Sequence, residues 1–134
     1  MDRRALFQAA VGLITVQSAA DAAEPGKSVP KQLLRHALAE VPGKEAVVVL
    51  VTYGPGAQSM PHKHPGSVIG YVLEGELSMH MEGMAPVTYG PGDVFYEAPN
   101  QAHLVSKNAS DKNSARLLAF CLTDKGQAVT VPLK

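Results

Sequence analysis

The sequence of 134 residues has no tryptophan, a single cysteine and only seven aromatic residues, three Phe and four Tyr. It also has no excess of one charge, because twelve Lys and Arg residues balance twelve Asp and Glu residues. Proteins that bind nucleic acids usually need a basic surface and aromatic side chains on which bases stack. Both features are missing here, so we expect no nucleic-acid partner.

The single cysteine, Cys121, excludes a disulfide bond within the chain. It lies in the apolar run from Arg116 to Leu122, which has the length of a β-strand. We therefore expect a buried and chemically inert thiol at this position rather than a reactive one.

Long hydrophobic runs are also missing, except near the N-terminus. Two arginines precede an apolar stretch from Ala5 to Val16, and small residues with a cleavage pattern at Ala20 and Ala22 follow. This stretch is too short to cross a bilayer and is typical of a secretory signal peptide. The sequence therefore predicts a signal peptide over residues 1–22 and a periplasmic or secreted protein that is not embedded in a membrane. A cytosolic protein with a frayed N-terminus is the alternative.

Arg3 and Arg4, with the apolar residues after them, also resemble a twin-arginine export signal. This route transports folded proteins, which would suit a protein that takes up a metal ion before export.

Ten prolines and twelve glycines recur between short apolar runs. Such runs predict β-strands, and their near-regular spacing favours a sandwich or a barrel. Leu33 to Leu38 predicts either a helical turn or a first edge strand. The length suits one domain, with a linker and N-terminal edge segment over residues 23–44 and a barrel over residues 45–134. The predicted strands are Ala46–Tyr53, Val68–Leu73, Leu77–Met81, Val94–Tyr96, Leu104–Val105, Leu117–Leu122 and Val129–Val131.

One internal repeat is present, because Tyr53-Gly54-Pro55-Gly56 recurs as Tyr89-Gly90-Pro91-Gly92. Glycine after proline favours a type II turn, in which the third residue has a positive φ. The repeat indicates two related halves, each opening with the same turn, and chance recurrence of common turn residues is the alternative.

Three histidines have the spacing of a metal site. His62 and His64 are two residues apart, so on a strand both side chains point to the same face. His103 begins a later predicted strand and could supply a third ligand from a neighbouring position. Because neutral imidazole is a common ligand of divalent transition metals, we predict that these three residues bind one metal ion.

The histidines lie in two segments that resemble the cupin motifs. Gly56-x5-His62-x-His64, followed by the run from Tyr71 to Leu77, is similar to the first motif, and Gly92-Asp93-x5-Pro99-x3-His103-x4-Asn108 is similar to the second. The resemblance is to a small, single-domain cupin of the conserved-barrel type. It implies an all-β fold, a double-stranded β-helix or jelly roll, with a metal inside the barrel and a small-molecule substrate or ligand entering from one open end. A homodimer that pairs barrels through edge strands and exchanged N-terminal segments is also implied.

The sequence departs from the family pattern at one ligand position. Cupins usually have a glutamate four residues after the second histidine, and here that residue is Val68. Three neutral ligands favour a divalent transition metal, and we place Fe²⁺ first, with Mn²⁺, Ni²⁺, Cu²⁺ and Zn²⁺ as alternatives. Three-histidine iron sites are similar to those of thiol and diketone dioxygenases. The resemblance therefore implies dioxygenase-like activity first, isomerisation or decarboxylation next, and a non-catalytic binding module as the alternative class.

Glu97 is the best candidate to restore a carboxylate to the site. It lies among apolar residues, where an unpaired carboxylate would be costly. Facing inward, it could be a fourth metal ligand, a partner that orients an imidazole, or the catalytic general base. The alternative is an outward glutamate, because strand alternation does not say which face is inside. His36, His80, Tyr71 and Tyr96 are weaker candidates.

Overall fold

The computed structural model describes residues 22–134, so nearly all of the predicted signal peptide, residues 1–22, lies outside the described residues. Within residues 22–134 every regular element is a strand, and no helix there is long and apolar enough to cross a membrane. The strands are β1 Ser28–Ala37, β2 Lys44–Tyr53, β3 His62–Lys63, β4 Ser67–Glu74, β5 Leu77–Met81, β6 Val87–Tyr89, β7 Val94–Glu97, β8 His103–Asn108, β9 Ala115–Asp124 and β10 Val131–Pro132.

The strands form two antiparallel sheets of five strands each. The first sheet has the order β1-β2-β9-β4-β7, and the second has the order β10-β3-β8-β5-β6. Consecutive strands alternate between the sheets over much of the chain, which is the crossing pattern of a jelly roll. The all-β prediction is confirmed, and the inner faces of the two sheets enclose both the core and the histidines.

The segment from Leu33 to Leu38 belongs mostly to an edge strand, so the helical-turn alternative is wrong. Strand β1 pairs with β2 from Ser28↔Tyr53 to Ala37↔Glu45, with an irregularity near Leu33. The first sheet therefore begins at Ser28, well before the predicted start of the barrel at residue 45.

Rows of inward-facing residues cross the first sheet, because side chains alternate along each strand. One row joins Val47, Cys121, Val68 and Glu97, each paired in register with the next. This row is apolar except for Glu97, and it lies beside the histidine site.

One end of the barrel is filled by an apolar cluster, which we call the closed end. Gly70 makes room for the ring of Phe95, since a Cβ on Gly70 would lie 2.2 Å from the Phe95 Cζ atom. The Phe95 ring in turn packs against Tyr89, with ring centroids 4.7 Å apart. Five buried residues of this cluster make up the closed end, namely Ala57, Val72, Leu77, Phe95 and Ala115, and three more extend the cluster toward the histidines, namely Tyr53, Met79 and Leu117.

The two copies of the repeated turn have the predicted geometry. In each copy the N–H after the second glycine donates to the carbonyl of the first glycine, over 3.0 Å for Ala57 to Gly54 and 3.0 Å for Asp93 to Gly90. The second glycines have φ values of 67° and 86°. This positive φ at the third turn position matches the type II prediction.

Candidate metal centre

The three histidines are brought together by the second sheet. His62 begins β3 and pairs in register with His103, which begins β8, and His64 follows β3 by one residue. Strand β10 pairs with the other side of β3, through Pro132↔His62 and Val131↔Lys63. The histidine segment is thus fixed between two neighbouring strands.

The imidazole rings surround a common point. One ring nitrogen from each of the three histidines lies within 4.8 Å of the others. The ring centroids are 4.7 Å apart for His62 and His103, 4.9 Å for His62 and His64, and 5.0 Å for His64 and His103. Among residues 22–134, this is the one group of three or more His, Cys, Asp or Glu side chains with such a geometry.

Hydrogen bonds behind the rings decide which nitrogen is free. Nδ1 of His62 donates to the carbonyl oxygen of Met60 over 2.7 Å, and Nδ1 of His64 donates to the carbonyl oxygen of Val129 over 2.8 Å. A carbonyl only accepts, so in a neutral ring the proton is on Nδ1 and the lone pair is on Nε2. Nδ1 of His103 lies 3.5 Å from the Ser106 hydroxyl, which can donate or accept, so this longer contact does not fix the tautomer of His103. Metal-binding histidines are commonly oriented in this way.

Burial keeps the two less buried ligands neutral. It lowers the pKa of both His62 and His64 below the usual value for histidine, and the Glu97 carboxylate opposes this only in part. At neutral pH both rings therefore offer a lone pair instead of a second N–H, which is the form that binds a metal.

Glu97 faces inward, and the outward alternative is wrong. Its side chain is 5% exposed, and its Oε2 atom lies 3.3 Å from Nε2 of His64 and 3.1 Å from Nε2 of His103. Glu97 also lies directly opposite Val68 in the β4–β7 register. A carboxylate is thus present at this site, but it comes from the strand beside the one that usually carries it.

Two buried polar atoms at the centre have no hydrogen-bond partner among the described residues, namely Glu97 Oε2 and His103 Nε2. Their mutual distance is short, but their relative orientation is not that of a hydrogen bond. Buried polar atoms without a partner are costly, and a shared metal ion would satisfy both. The donor set of three imidazoles and one carboxylate therefore fits a divalent transition metal.

A cavity of about 310 Å³ opens from this centre. Its walls combine apolar side chains such as Val68, Met79 and Leu117 with the hydroxyl groups of Tyr53 and Ser59. A molecule in the cavity would meet the histidines and Glu97 at one side and an apolar wall at the other. This composition is typical of small-molecule sites.

The other predicted candidates lie away from this cavity. Tyr71 and Tyr96 face outward from the first sheet, and the Tyr96 hydroxyl bonds the Ser67 hydroxyl over 2.9 Å. His36 is exposed and bonds the carbonyl of Ala37, and His80 lies outside the ligand group.

Cys121 is buried next to the site, and burial raises the pKa of its thiol to about 11. The prediction of a buried thiol is confirmed, and the raised pKa disfavours the thiolate, which is the reactive form.

Tyr53 is a cavity residue that the sequence interpretation missed. Its side chain is buried, burial raises the pKa of its phenol, and its hydroxyl lies 3.2 Å from the hydroxyl of Ser59. The inward direction of Tyr53 could have been predicted from the sequence, because Tyr53 lies an even number of residues from Val47, Val49 and Val51 on β2. The sequence interpretation places Tyr53 at the end of a predicted strand and in the repeated turn, and gives it no role at the site.

A model of the cupin domain matches residues 49–121 of this chain. No curated protein matches the sequence.

Several solved structures are similar to this one. A conserved protein with a double-stranded β-helix domain from Klebsiella pneumoniae has a TM-score of 0.64 at 20% identity, over 84% of this chain and 89% of that chain. A recombinant oxalate oxidase in complex with glycolate has a TM-score of 0.64 at 22% identity, over 84% and 60% of the two chains. The DMSP lyase DddQ from Ruegeria pomeroyi has a TM-score of 0.57 at 25% identity, over 65% of this chain and 42% of the lyase. This chain therefore covers less than two thirds of both enzymes, and the likeness shows the double-stranded β-helix fold.

Proposed function

This chain belongs to the cupin family, and we propose that it is a metal-dependent enzyme acting on a small oxygen-rich or carbonyl-bearing molecule. Its metal ligands are His62, His64 and His103, with the Glu97 carboxylate as the fourth protein ligand. We place dioxygenase-type oxidation first, and isomerisation or decarboxylation next.

The observation that carries this proposal is the set of hydrogen bonds behind the imidazoles. Two Nδ1–H groups are held by backbone carbonyls, so the Nε2 lone pairs of His62 and His64 are left to bind a metal. Glu97 adds one negative charge within 3.3 Å of two of the Nε2 atoms. Three nitrogens and one oxygen suit Fe²⁺ first, and also Mn²⁺, Ni²⁺, Cu²⁺ or Zn²⁺.

A bound divalent ion would supply Lewis acidity toward a chelated substrate oxygen and, as iron, redox chemistry with O₂. The residues around it have separate tasks. Glu97 would bind the metal through one carboxylate oxygen, and its second oxygen could take up a substrate proton. Tyr53 keeps its proton, because burial raises the pKa of its phenol, and can donate a hydrogen bond to a substrate oxygen. Val68, Met79 and Leu117 exclude water.

The fold does not choose the reaction, since related folds carry unrelated chemistries. The similar structures include proteins named as an oxidase and as a lyase. The proposal of an enzyme therefore depends on the pairing of an open cavity with a buried carboxylate at the metal ligands.

Metal analysis of the full chain, purified without a chelating tag, tests the ligand set. We expect about one transition metal ion per chain and loss of that ion in His103→Ala. Glu97→Val should weaken metal binding by at least about 10- to 100-fold, because removal of a carboxylate that only supports a ligand already costs that much.

The double variant Val68→Glu with Glu97→Val is the matched control, because the two positions face each other across β4 and β7. It returns a carboxylate to the same row of the sheet and should recover most of the lost affinity. A chain that binds no metal, or a Glu97→Val variant that binds metal as tightly as the wild type, would contradict the assignment.

Oxygen consumption by the Fe²⁺-loaded protein, with a panel of small diketones, thiols and hydroxy acids, tests the activity. Turnover that Glu97→Gln slows, with metal content unchanged, would support the proton-transfer role. A metal-loaded protein that binds panel members and converts none of them is instead a binding module.

Export is a proposal that rests on residues 1–22. Cell fractionation should place the protein outside the cytoplasm, and N-terminal sequencing should find that the mature chain begins near Ala23. Full-length protein in the cytoplasm would overturn it.

We also propose a homodimer, formed by the outer face of the first sheet instead of by its edges. This face is continuous across three strands, because Ile69 pairs in register with Phe120 on one side and with Tyr96 on the other. Large exposed apolar surfaces are uncommon on monomers, and a two-fold axis would cover the same face on both copies. The exposed apolar residues are Ile69, Tyr71, Val94, Tyr96, Phe120 and Leu122.

Light scattering after size-exclusion chromatography should give twice the mass of one chain. Phe120→Glu should yield monomers, while Leu104→Glu, at an equally exposed position in the second sheet, should not. A monomeric wild type would contradict the homodimer proposal.

A further inference from the structure

An apolar basin of about 430 Å³ lies beside the metal centre, on the inner face of the first sheet. It is adjacent to the cavity at the metal centre, because Val51, His64 and Ala119 line both spaces. His64 therefore stands at the boundary, with the metal site on one side and the basin on the other.

The basin wall is mostly apolar, and its polar residues are Gln32, Arg35, His64 and Thr130. Val47, Val49 and Cys121 come from the first sheet, and Val129 comes from the segment that accepts the hydrogen bond of His64. The cluster of Val47, Val68 and Cys121 is buried, with Val49 and Val129 packed against it. Such a surface binds hydrocarbon better than it binds water.

The charged group at the basin is already paired. The guanidinium of Arg35 donates to the carboxylate of Glu45, which also accepts the backbone N–H of Gly126 over 3.0 Å. The positive charge of Arg35 is thus compensated within the protein, so the basin does not call for an anionic group on its ligand.

We propose that this basin binds the uncharged apolar part of the substrate, an alkyl, acyl or aryl group attached to the oxygen-bearing head that binds at the metal. The inference rests on the proposed metal site and narrows its substrate class. Simple hydroxy acids and keto acids fill only the metal cavity, whereas a molecule with a short hydrocarbon tail uses both spaces.

Straight-chain hydroxamic acids test the inference, because the head chelates a metal and only the tail length changes. Acetohydroxamic, butyrohydroxamic, hexanohydroxamic and octanohydroxamic acids would be titrated calorimetrically into the full chain loaded with Zn²⁺. Burial of each methylene should tighten binding by up to about fourfold, and the gain should continue until the basin is full.

Val49→Phe is the variant chosen to fill the basin, since Val49 lines the basin and does not line the metal cavity. It should leave the affinity for acetohydroxamic acid unchanged and remove the gain with tail length. Val48→Phe is the matched control, because the neighbouring side chain points to the other face of the sheet. Val49→Met, a milder change, should give a reduced gain if Val49→Phe does not fold.

A wild-type protein that binds acetohydroxamic acid but gains nothing from longer tails would overturn the basin proposal and leave the metal site intact. A tail-length gain as large as in the wild type in either folded Val49 variant would overturn the basin proposal in the same way. A chain that takes up no Zn²⁺ would instead overturn the metal site, and the tail subsite with it.

Discussion

The two ends of the barrel are built from the same strands, but one is filled and the other is open. At the closed end, Val72 and Leu77 are fully buried among apolar neighbours. At the open end, three imidazoles and one carboxylate surround a cavity of about 310 Å³. The closed end therefore stabilises the fold, whereas the open end has buried polar atoms without hydrogen-bond partners among the described residues.

Strands β4 and β7 each pass from the packed closed end to the metal centre within two to four residues. On β7, Phe95 packs at the closed end and Glu97 faces the histidines. On β4, Val72 belongs to the closed end and Val68 lines the cavity. Because inner positions recur every second residue, a short step along a strand moves a side chain from the packed end to the open end.

Asn108 shows how the closed end also holds the turn that leads to the site. Its side chain is fully buried, and its Nδ2 atom donates to the carbonyls of Gly54 over 3.0 Å and Asn113 over 2.7 Å. Its Oδ1 atom accepts the N–H of Ser110. The turn before the histidine segment is therefore fixed by the packed end of the barrel.

The largest expected contrast is between Leu77→Ala and His103→Ala. Leu77 is fully buried, so Leu77→Ala should lower the free energy of unfolding of the metal-free protein by about 2 to 5 kcal/mol. The variant should still bind metal in its folded state. Urea denaturation and metal titration of the same samples measure the two effects.

His103→Ala should show the opposite pattern, with metal binding lost and a much smaller change in the stability of the metal-free protein. The change in stability should be small because His103→Ala removes a buried nitrogen that has no hydrogen-bond partner among the described residues. A loss of stability in His103→Ala as large as that in Leu77→Ala would show that the two ends do not divide these tasks.

A smaller effect is expected from Gly70→Ala, which lies between the two ends. The new Cβ would meet the Phe95 ring, and forcing an extra methyl group into a packed core typically costs about 1 to 3 kcal/mol. Thermal or urea unfolding measures this loss. Gly70→Ala combined with Phe95→Leu should recover part of it, and a single variant as stable as the wild type would contradict the close packing of Phe95 on Gly70.

Much of the first sheet could be predicted from the sequence, because its strands are long apolar runs bounded by glycine and proline. Strands β3 and β6 were missed, since they have only two and three residues and carry no apolar run. Strand β10 was predicted one to two residues too early, at Val129–Val131, because its pairing with β3 depends on a distant segment.

The histidine trio could also be predicted, because its spacing is local, but the direction of Glu97 could not. Along β7 both faces carry large apolar or aromatic residues, with Val94 60% exposed and Tyr96 63% exposed. The usual alternation of polar and apolar residues is therefore absent. Only the register of β7 with β4 places Glu97 opposite Val68 and beside the histidines.

The smallest expected effect concerns pH, and it applies to the open side of the barrel alone. The N–H of Gly126 and the guanidinium of Arg35 lower the pKa of Glu45 in the folded protein below the usual value of 4.5. A folded-state pKa below the unfolded one adds stability above the unfolded value, and this contribution is lost as the pH falls through the folded-state pKa. Acid should therefore remove stability through Glu45.

Glu45→Gln isolates this contribution, because the variant keeps the shape of the side chain and removes its titration. Between pH 7 and pH 3, urea unfolding of the metal-free wild type should lose more stability than unfolding of Glu45→Gln. All other titratable groups are the same in the two proteins, so their effects cancel in the comparison. Equal losses in the two proteins would contradict the prediction, because they would mean that the pKa of Glu45 is the same in the folded and the unfolded chain. A Leu77→Ala background should leave the difference unchanged, since the closed end contains no acidic residue.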